Sequence, residues 1–201
     1  MPIDPSALDP DPIAQFGAWL AHAESAGIEL PQAFALATAD EHGAPSVRML
    51  LLRGFDADGF RFYTNTRSRK GRDIAANPRG AAAFYWAPLG RQIRLAGPIE
   101  ELSREESTAY WSTRPPGSRL AAWASAQGEE IGSREALEQR VGDVAARFGP
   151  EAQPLPDFWG GYVLRPEVIE FWESRADRLH DRVEYRRTPD GSSWERRRLQ
   201  P

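Results

Sequence analysis

The chain has 201 residues, 41% of them hydrophobic, which is enough for one buried core and suits one domain better than two. It has no cysteine and only three scattered histidines, His22, His42 and His180, so a disulfide framework and a thiolate metal site are excluded and no metal is expected. A net charge of −4 argues against nucleic-acid binding, and without a signal-like start or a bilayer-length apolar run the expected setting is cytoplasmic, away from the membrane.

Residues 1–12 hold four prolines and three aspartates and read as a flexible arm. Residues 13–26 are helical in pattern, with Ile13, Phe16, Trp19 and Leu20 at spacings of three and four, and Gly27 ends the run. Short strands are expected at 34–38, 47–53 and 60–63, with Glu41-His42-Gly43 and Asp56-Ala57-Asp58-Gly59 as hairpin turns. Ser68 is placed to cap a helix over 69–76 that Asn77-Pro78 terminates. Strands at 81–86 and 92–100 follow. Ser103-Arg104-Glu105-Glu106 is a capping box opening a helix that Pro115 stops. Helices are expected at 117–126 and at 134–148, the second capped by Ser133, and a loop at 150–157. The last part reads as strands at 161–164, 168–172, 183–187 and 194–199, with a turn at Thr188-Pro189-Asp190-Gly191. No repeat or domain boundary appears, so residues 13–201 form one domain. Several connections are too short for a crossover helix, which makes the class α+β, an antiparallel sheet or barrel with flanking helices.

Three groups of residues could carry chemistry. In Arg178-Leu179-His180-Asp181-Arg182, an extended backbone would put Arg178, His180 and Arg182 on one face, two guanidinium groups around an imidazole. Twenty-four of the 25 basic residues are Arg; the only lysine, Lys70, falls in Arg67-Ser68-Arg69-Lys70-Gly71-Arg72. Those cations sit where a helix starts, and free N–H groups with a partial positive charge suit a phosphate there. Tyr110 and Arg114, four apart on an expected helix face, together with Ser118 could converge on a phosphate monoester. Each group also fits a plain solvated surface. The chain has seven tryptophans, most of them expected in the core, with one or two free to line a flat ligand. No nucleophile elbow and no catalytic carboxylate pair is recognisable. Side chains suited to anions and planar rings point to an enzyme whose cofactor supplies the reactivity.

Taken together, several separated blocks resemble the pyridoxamine 5′-phosphate oxidase family. They include Arg48-Met49-Leu50-Leu51-Leu52, Phe62-Tyr63-Thr64-Asn65, Ser68-Arg69-Lys70, Arg91-Gln92 and Ser112-Thr113-Arg114-Pro115. Further blocks are Ala122-Trp123-Ala124-Ser125, Pro154-Leu155-Pro156-Asp157-Phe158-Trp159-Gly160-Gly161, Glu170-Phe171-Trp172 and Arg178-Leu179-His180-Asp181-Arg182. The resemblance runs from about Phe34 to the end and implies a split β-barrel that binds FMN at the interface of a homodimer. It implies FMN contacts from Arg48, Tyr63, Thr64, Arg69, Lys70, Gln92, Gln127, Trp172 and Arg182. It implies substrate contacts from Arg53, Tyr110, Arg114 and Ser118, with Arg178 and His180 at the reactive edge as the catalytic pair. The implied reaction oxidises pyridoxamine or pyridoxine 5′-phosphate to pyridoxal 5′-phosphate with O2, releasing H2O2 and, from the amine, ammonia. Arg53 stands where the family usually has Lys, Gly128 where it usually has Ser, and the arm lacks the family's basic, tyrosine-containing stretch. A related FMN oxidase of another aromatic substrate, of the phenazine-pathway type, and a non-catalytic flavin- or pyridoxal-phosphate-binding protein are the alternatives.

Overall fold

Asp11 caps the first helix, α1 (Pro12–Ser25), by accepting from the N–H of Ile13, and Pro12 supplies a φ already suited to helix. The side chains this helix buries, among them Ile13, Phe16 and Trp19, follow the three-and-four spacing of the sequence. Phe16 is fully buried and meets Phe55, Phe60 and Phe84 edge-on at 4.8–5.1 Å, so α1 plugs the mouth of the sheet behind it. The computed structural model describes residue 3 and residues 5–149 and 153–201; parts of the expected arm and of the 150–157 loop lie outside the described residues.

Ten described strands form one antiparallel sheet: β1 (Ala33–Ala39), β2 (Pro45–Leu51), β3 (Gly54–Asp56), β4 (Gly59–Asn65), β5 (Arg79–Trp86), β6 (Arg91–Glu101), β7 (Trp159–Leu164), β8 (Val168–Glu173), β9 (Asp181–Arg187) and β10 (Trp194–Leu199). Along one path the order is β10-β9-β8-β6-β5-β1-β2. The long strand β6 splits the sheet, because Arg91 to Ala96 pair with β8 while Ile99 to Glu101 pair with β7. Strand β7 then pairs with β4, and β4 with β3, which curls the sheet into a half-open barrel. Helix α2 (Arg69–Ala76) joins β4 to β5; α3 (Arg104–Thr113), α4 (Pro116–Ala124) and α5 (Arg134–Phe148) lie between β6 and β7. The capping box of α3 is complete, with Ser103 and Glu106 each satisfying the other's backbone N–H.

Three local expectations are corrected. The short strand β3 was not foreseen; it pairs only at Gly54–Asp56, beside the turn that the sequence does announce. Arg114 lies outside α3 as its C-cap, with extended φ −72° and ψ 142°, because Pro115 forbids a further helical turn. The segment before β9 is not extended. Residues 176–178 form a single 3₁₀ turn in which Asp177 (φ 55°) and Arg178 (φ 61°) are left-handed, so of the three cationic positions only Arg182 lies on the strand. A Glu173–Arg175–Asp181 ion-pair chain folds this loop back on itself.

The described part of the arm is docked. Ile3 is buried, its N–H donates to Asp181 Oδ2 at 3.0 Å, and its carbonyl accepts from Arg198 at 2.6 Å. Tyr185 donates to the carbonyl of Asp9 and Arg196 to that of Leu8, which fixes the segment across β9 and β10.

Candidate functional site

The cationic run 67–72 closes around one buried ammonium. Lys70 is 6% exposed, and its Nζ donates to Thr64 Oγ1 (3.0 Å), Ser68 Oγ (3.0 Å) and Gln127 Oε1 (2.9 Å). All three acceptors are neutral, and among the described residues Lys70 has no carboxylate in ion-pair range. Burial, helped by the nearby charge of Arg48, lowers its pKa to about 8. Ser68 precedes α2 as foreseen, but its hydroxyl donates to the carbonyl of Asn65 and receives Lys70 instead of capping the helix. A glycine is needed inside α2: a Cβ on Gly71 would lie 2.0 Å from the Thr66 carbonyl oxygen, so no other residue lets the helix start this close to β4.

Arg48 is held beside this lysine by residues that the sequence reading missed. Its guanidinium donates to Thr38 Oγ1 (2.8 Å), to the Leu36 carbonyl (3.1 Å) and to Ser46 Oγ, and it pairs with Asp73 at 3.7 Å. Burial alone would raise the Asp73 pKa, but hydrogen bonds from Thr38 (2.6 Å) and Ser46 (2.7 Å) and the charges of Arg69 and Arg48 bring it below the usual carboxylate value. The two-residue spacing of Ser46 and Arg48 and the three-residue spacing of Lys70 and Asp73 were visible signals; the register joining Thr38 to Ser46 was not. Arg48, Arg69, Lys70, Gln127 and Gly128 line one cleft of about 380 Å³.

A neighbouring cleft of about 350 Å³ shares Leu50 and Gln127 with the first and is lined by Tyr63, Thr64, Arg114, Ser118 and Trp159. Tyr63 stacks on Tyr110 with ring centres 3.9 Å apart, and both run nearly parallel to Trp159. The stack can form because Gly161 on β7 has no side chain: a Cβ there would lie 2.5 Å from the Tyr63 ring. Arg114 lies over Trp159, 4.7 Å from the ring centre, and donates through Nη2 to the Ser118 carbonyl, while its buried Nε has no hydrogen-bond partner among the described residues. Burial lowers the Arg114 pKa, with a smaller push from the charge of exposed Arg53. A guanidinium so placed, with a donor unused and a serine at a helix start beside it, can receive an anion.

The remaining candidates lie elsewhere. Gln92, Trp172 and Arg182 are cross-strand neighbours on β6, β8 and β9, on the outer face of the sheet. His180 packs its ring against Trp172 at 4.6 Å, and Arg178 is exposed on the left-handed turn beside it. Arg182 is committed to Glu170 through Nε (2.9 Å) and Nη2 (3.1 Å), and to the Gln200 carbonyl. Four strand spacings, about 19 Å, separate β8 from β2 and its Arg48. Among the described residues no hydrogen bond, ion pair or ring contact joins this group to the two clefts within one chain.

Between the groups the outer face of the sheet is made of small residues. Ala35 and Ala37 on β1 lie beside Ala81 and Ala83 on β5, and Ala96 on β6 completes the patch. At its edge Val47 is 68% and Met49 64% exposed, and both also line the Lys70 cleft.

The family described as "Pyridoxamine 5'-phosphate oxidase" matches residues 20–148, and one described as "Pyridoxine 5'-phosphate oxidase C-terminal dimerisation region" matches residues 159–201. The chain is 54% identical over 193 residues to a pyridoxine/pyridoxamine 5'-phosphate oxidase of Rubrobacter xylanophilus, covering 96% of this chain and 88% of that one. It is 50% identical to one of Cupriavidus taiwanensis, covering 98% and 92%. Among solved structures it is similar to PhzG from Burkholderia lata in complex with tetrahydrophenazine-1-carboxylic acid, with TM-score 0.91, 34% identity and coverage of 98% and 96%.

Proposed function

The chain belongs to the pyridoxamine 5′-phosphate oxidase family, and on that premise we propose that it is an FMN-dependent oxidase of pyridoxamine or pyridoxine 5′-phosphate. It converts either substrate to pyridoxal 5′-phosphate with O2, releasing H2O2 and, from the amine, ammonia. Relatives 50–54% identical carry that name, whereas the phenazine-pathway alternative rests on a structure 34% identical.

One observation carries the cofactor reading: Lys70 is a buried ammonium surrounded by neutral oxygens. An isolated buried charge is costly, and an entering phosphate would compensate it. Lys70, Arg69 and Arg48 would hold the FMN phosphate, and Gln127 borders both that cleft and the neighbouring one that Tyr63 and Thr64 line. The chemistry that FMN would supply there is hydride acceptance from the substrate carbon and return of the electrons to dioxygen. Arg114, Tyr110 and Ser118 take the substrate phosphate, and Arg53 adds positive charge at the entrance. Stacking of Arg114 on Trp159 fixes the guanidinium in advance, so little ordering cost remains on binding. Arg178 and His180 orient the reactive end.

Two copies complete one site. The alanine face, bordered by exposed Val47 and Met49, is covered by a second chain, which brings its Gln92, Trp172, Arg182, Arg178 and His180 to the clefts of the first. Three things support this: the four strand spacings between β8 and β2 within one chain, the apolar face running into the Lys70 cleft, and the match of residues 159–201 to a dimerisation region. Ala81 is exposed in the single chain, so Ala81→Glu should fold but bury a charge at the contact. Sedimentation should show a monomer that has lost its flavin. A yellow Ala81→Glu dimer would exclude this face as the contact.

The function itself is tested with the FMN-loaded protein under anaerobic conditions. Pyridoxamine 5′-phosphate should bleach the flavin absorbance, and air should restore it with pyridoxal 5′-phosphate released. A flavin that stays oxidised with either substrate would count against the assignment.

A further inference from the structure

We propose that the chain sets His180 as a hydrogen-bond donor through Nε2, with Arg175 and Asp181 as the positioning residues; the role in catalysis rests on the reading of His180 as a substrate contact. The backbone N–H of Arg175 donates to His180 Nδ1 at 3.2 Å. An N–H can only donate, so Nδ1 carries a lone pair, and the neutral ring has its proton on Nε2. The nitrogen left for substrate is therefore a donor, suited to an oxygen such as the phenolate of the pyridine ring. It cannot serve as a base for a substrate proton while that tautomer holds. His180 orients the ring, and the substrate proton leaves by another route.

The donor peptide is fixed by its own side chain. Arg175 Nε reaches Asp181 Oδ2 at 2.6 Å and its Nη2 reaches Glu173 Oε1 at 2.6 Å. Asp181 is 6% exposed and also receives Arg198 Nη1 at 2.8 Å and the N–H of Ile3 at 3.0 Å. One carboxylate thus ties the arm, the last strand and the loop that carries His180. Within that loop Asp177 and Arg178 hold left-handed conformations that ordinary L-residues keep only when their surroundings impose them. Trp172 closes the other side of the imidazole, its ring centre 4.6 Å away and tilted 43°.

The test is nitrogen-15 NMR of histidine-labelled, FMN-loaded protein, in which only His22, His42 and His180 give ring signals and His180→Gln identifies the third. The wild type should show the Nε2–H tautomer at His180. In Asp181→Asn the ring shifts should move toward a mixture of tautomers while the flavin stays bound, and kcat/KM should fall about tenfold, the scale of one misdirected hydrogen bond. Should Asp181→Asn not fold, Arg175→Gln leaves Ile3 and Arg198 on Asp181 and should shift the ring signals in the same way. An Nδ1–H tautomer in the wild type, or unchanged ring shifts in the variant that folds, would overturn the proposal. An Nε2–H signal in a protein inert toward pyridoxamine 5′-phosphate would support the tautomer but overturn the functional reading on which its role rests.

Discussion

Lys70→Ala is expected to yield a folded, nearly colourless protein. The substitution removes a buried charge that no carboxylate among the described residues offsets, so it should cost the fold little. It also removes the one buried cation of the phosphate cradle, and a hydrogen bond to a charged group contributes about 1.5–3 kcal/mol, or roughly a tenfold to hundredfold weaker hold on FMN. Titration with FMN, followed by flavin fluorescence, measures the loss. The same experiment has a pH signature in the wild type. Below pH about 8 the apoprotein lysine is already charged, and affinity should be level. Above it the free lysine loses its proton and must regain one to face the phosphate. Affinity should then fall with rising pH, by up to about tenfold per unit. Lys70→Ala should lack that slope. A variant that binds FMN as tightly as the wild type would place the phosphate elsewhere.

Arg178→Ala and His180→Ala should do the opposite. Neither residue lines the Lys70 cradle of its own chain, and across the dimer the proposal sets both at the substrate's reactive edge and not at the phosphate, so both variants should remain yellow. Turnover should suffer, because each removes a donor that orients the reacting end of the substrate; losses of about a hundredfold in kcat are the scale for such groups. His180→Ala also leaves the Arg175 N–H without its acceptor and bares one face of Trp172. Stopped-flow reduction of the bound flavin separates the chemical step from oxygen turnover. If Arg178→Ala released FMN yet reduced it at the normal rate when reloaded, the division between cradle and reactive edge would be wrong.

How far the sequence carried each part depended on whether the cause was local. The caps of α1, α3 and α5 are set by Asp11, Ser103 with Glu106, and Ser133, all within three residues of what they cap. Of these, the sequence announced the second and third; Asp11 was hidden inside a proline-rich stretch. The Lys70 cluster was legible for the same reason, as its cations lie in one short run. Asp73 was not singled out, because its partners Thr38 and Ser46 lie 35 and 27 residues away and meet it only through strand register. The row of Gln92, Trp172 and Arg182 is likewise a product of pairing between β6, β8 and β9. The pentapeptide at 178–182 misled by looking continuous with a strand. The ion pairs of Arg175, three residues upstream, bend the chain there, and no periodicity of apolar residues reports that.

The scarcity of lysine has a chemical consequence beyond charge. All side-chain primary amine reactivity in this protein resides in one atom, Lys70 Nζ, whose lowered pKa leaves a nucleophilic fraction at mildly alkaline pH. Acylating and reductive-alkylating reagents therefore meet a single internal target, sheltered by the ligand that it grips. The degree of labelling at Lys70 would count vacant cofactor seats, and an arginine-covered exterior would add no side-chain background to that count.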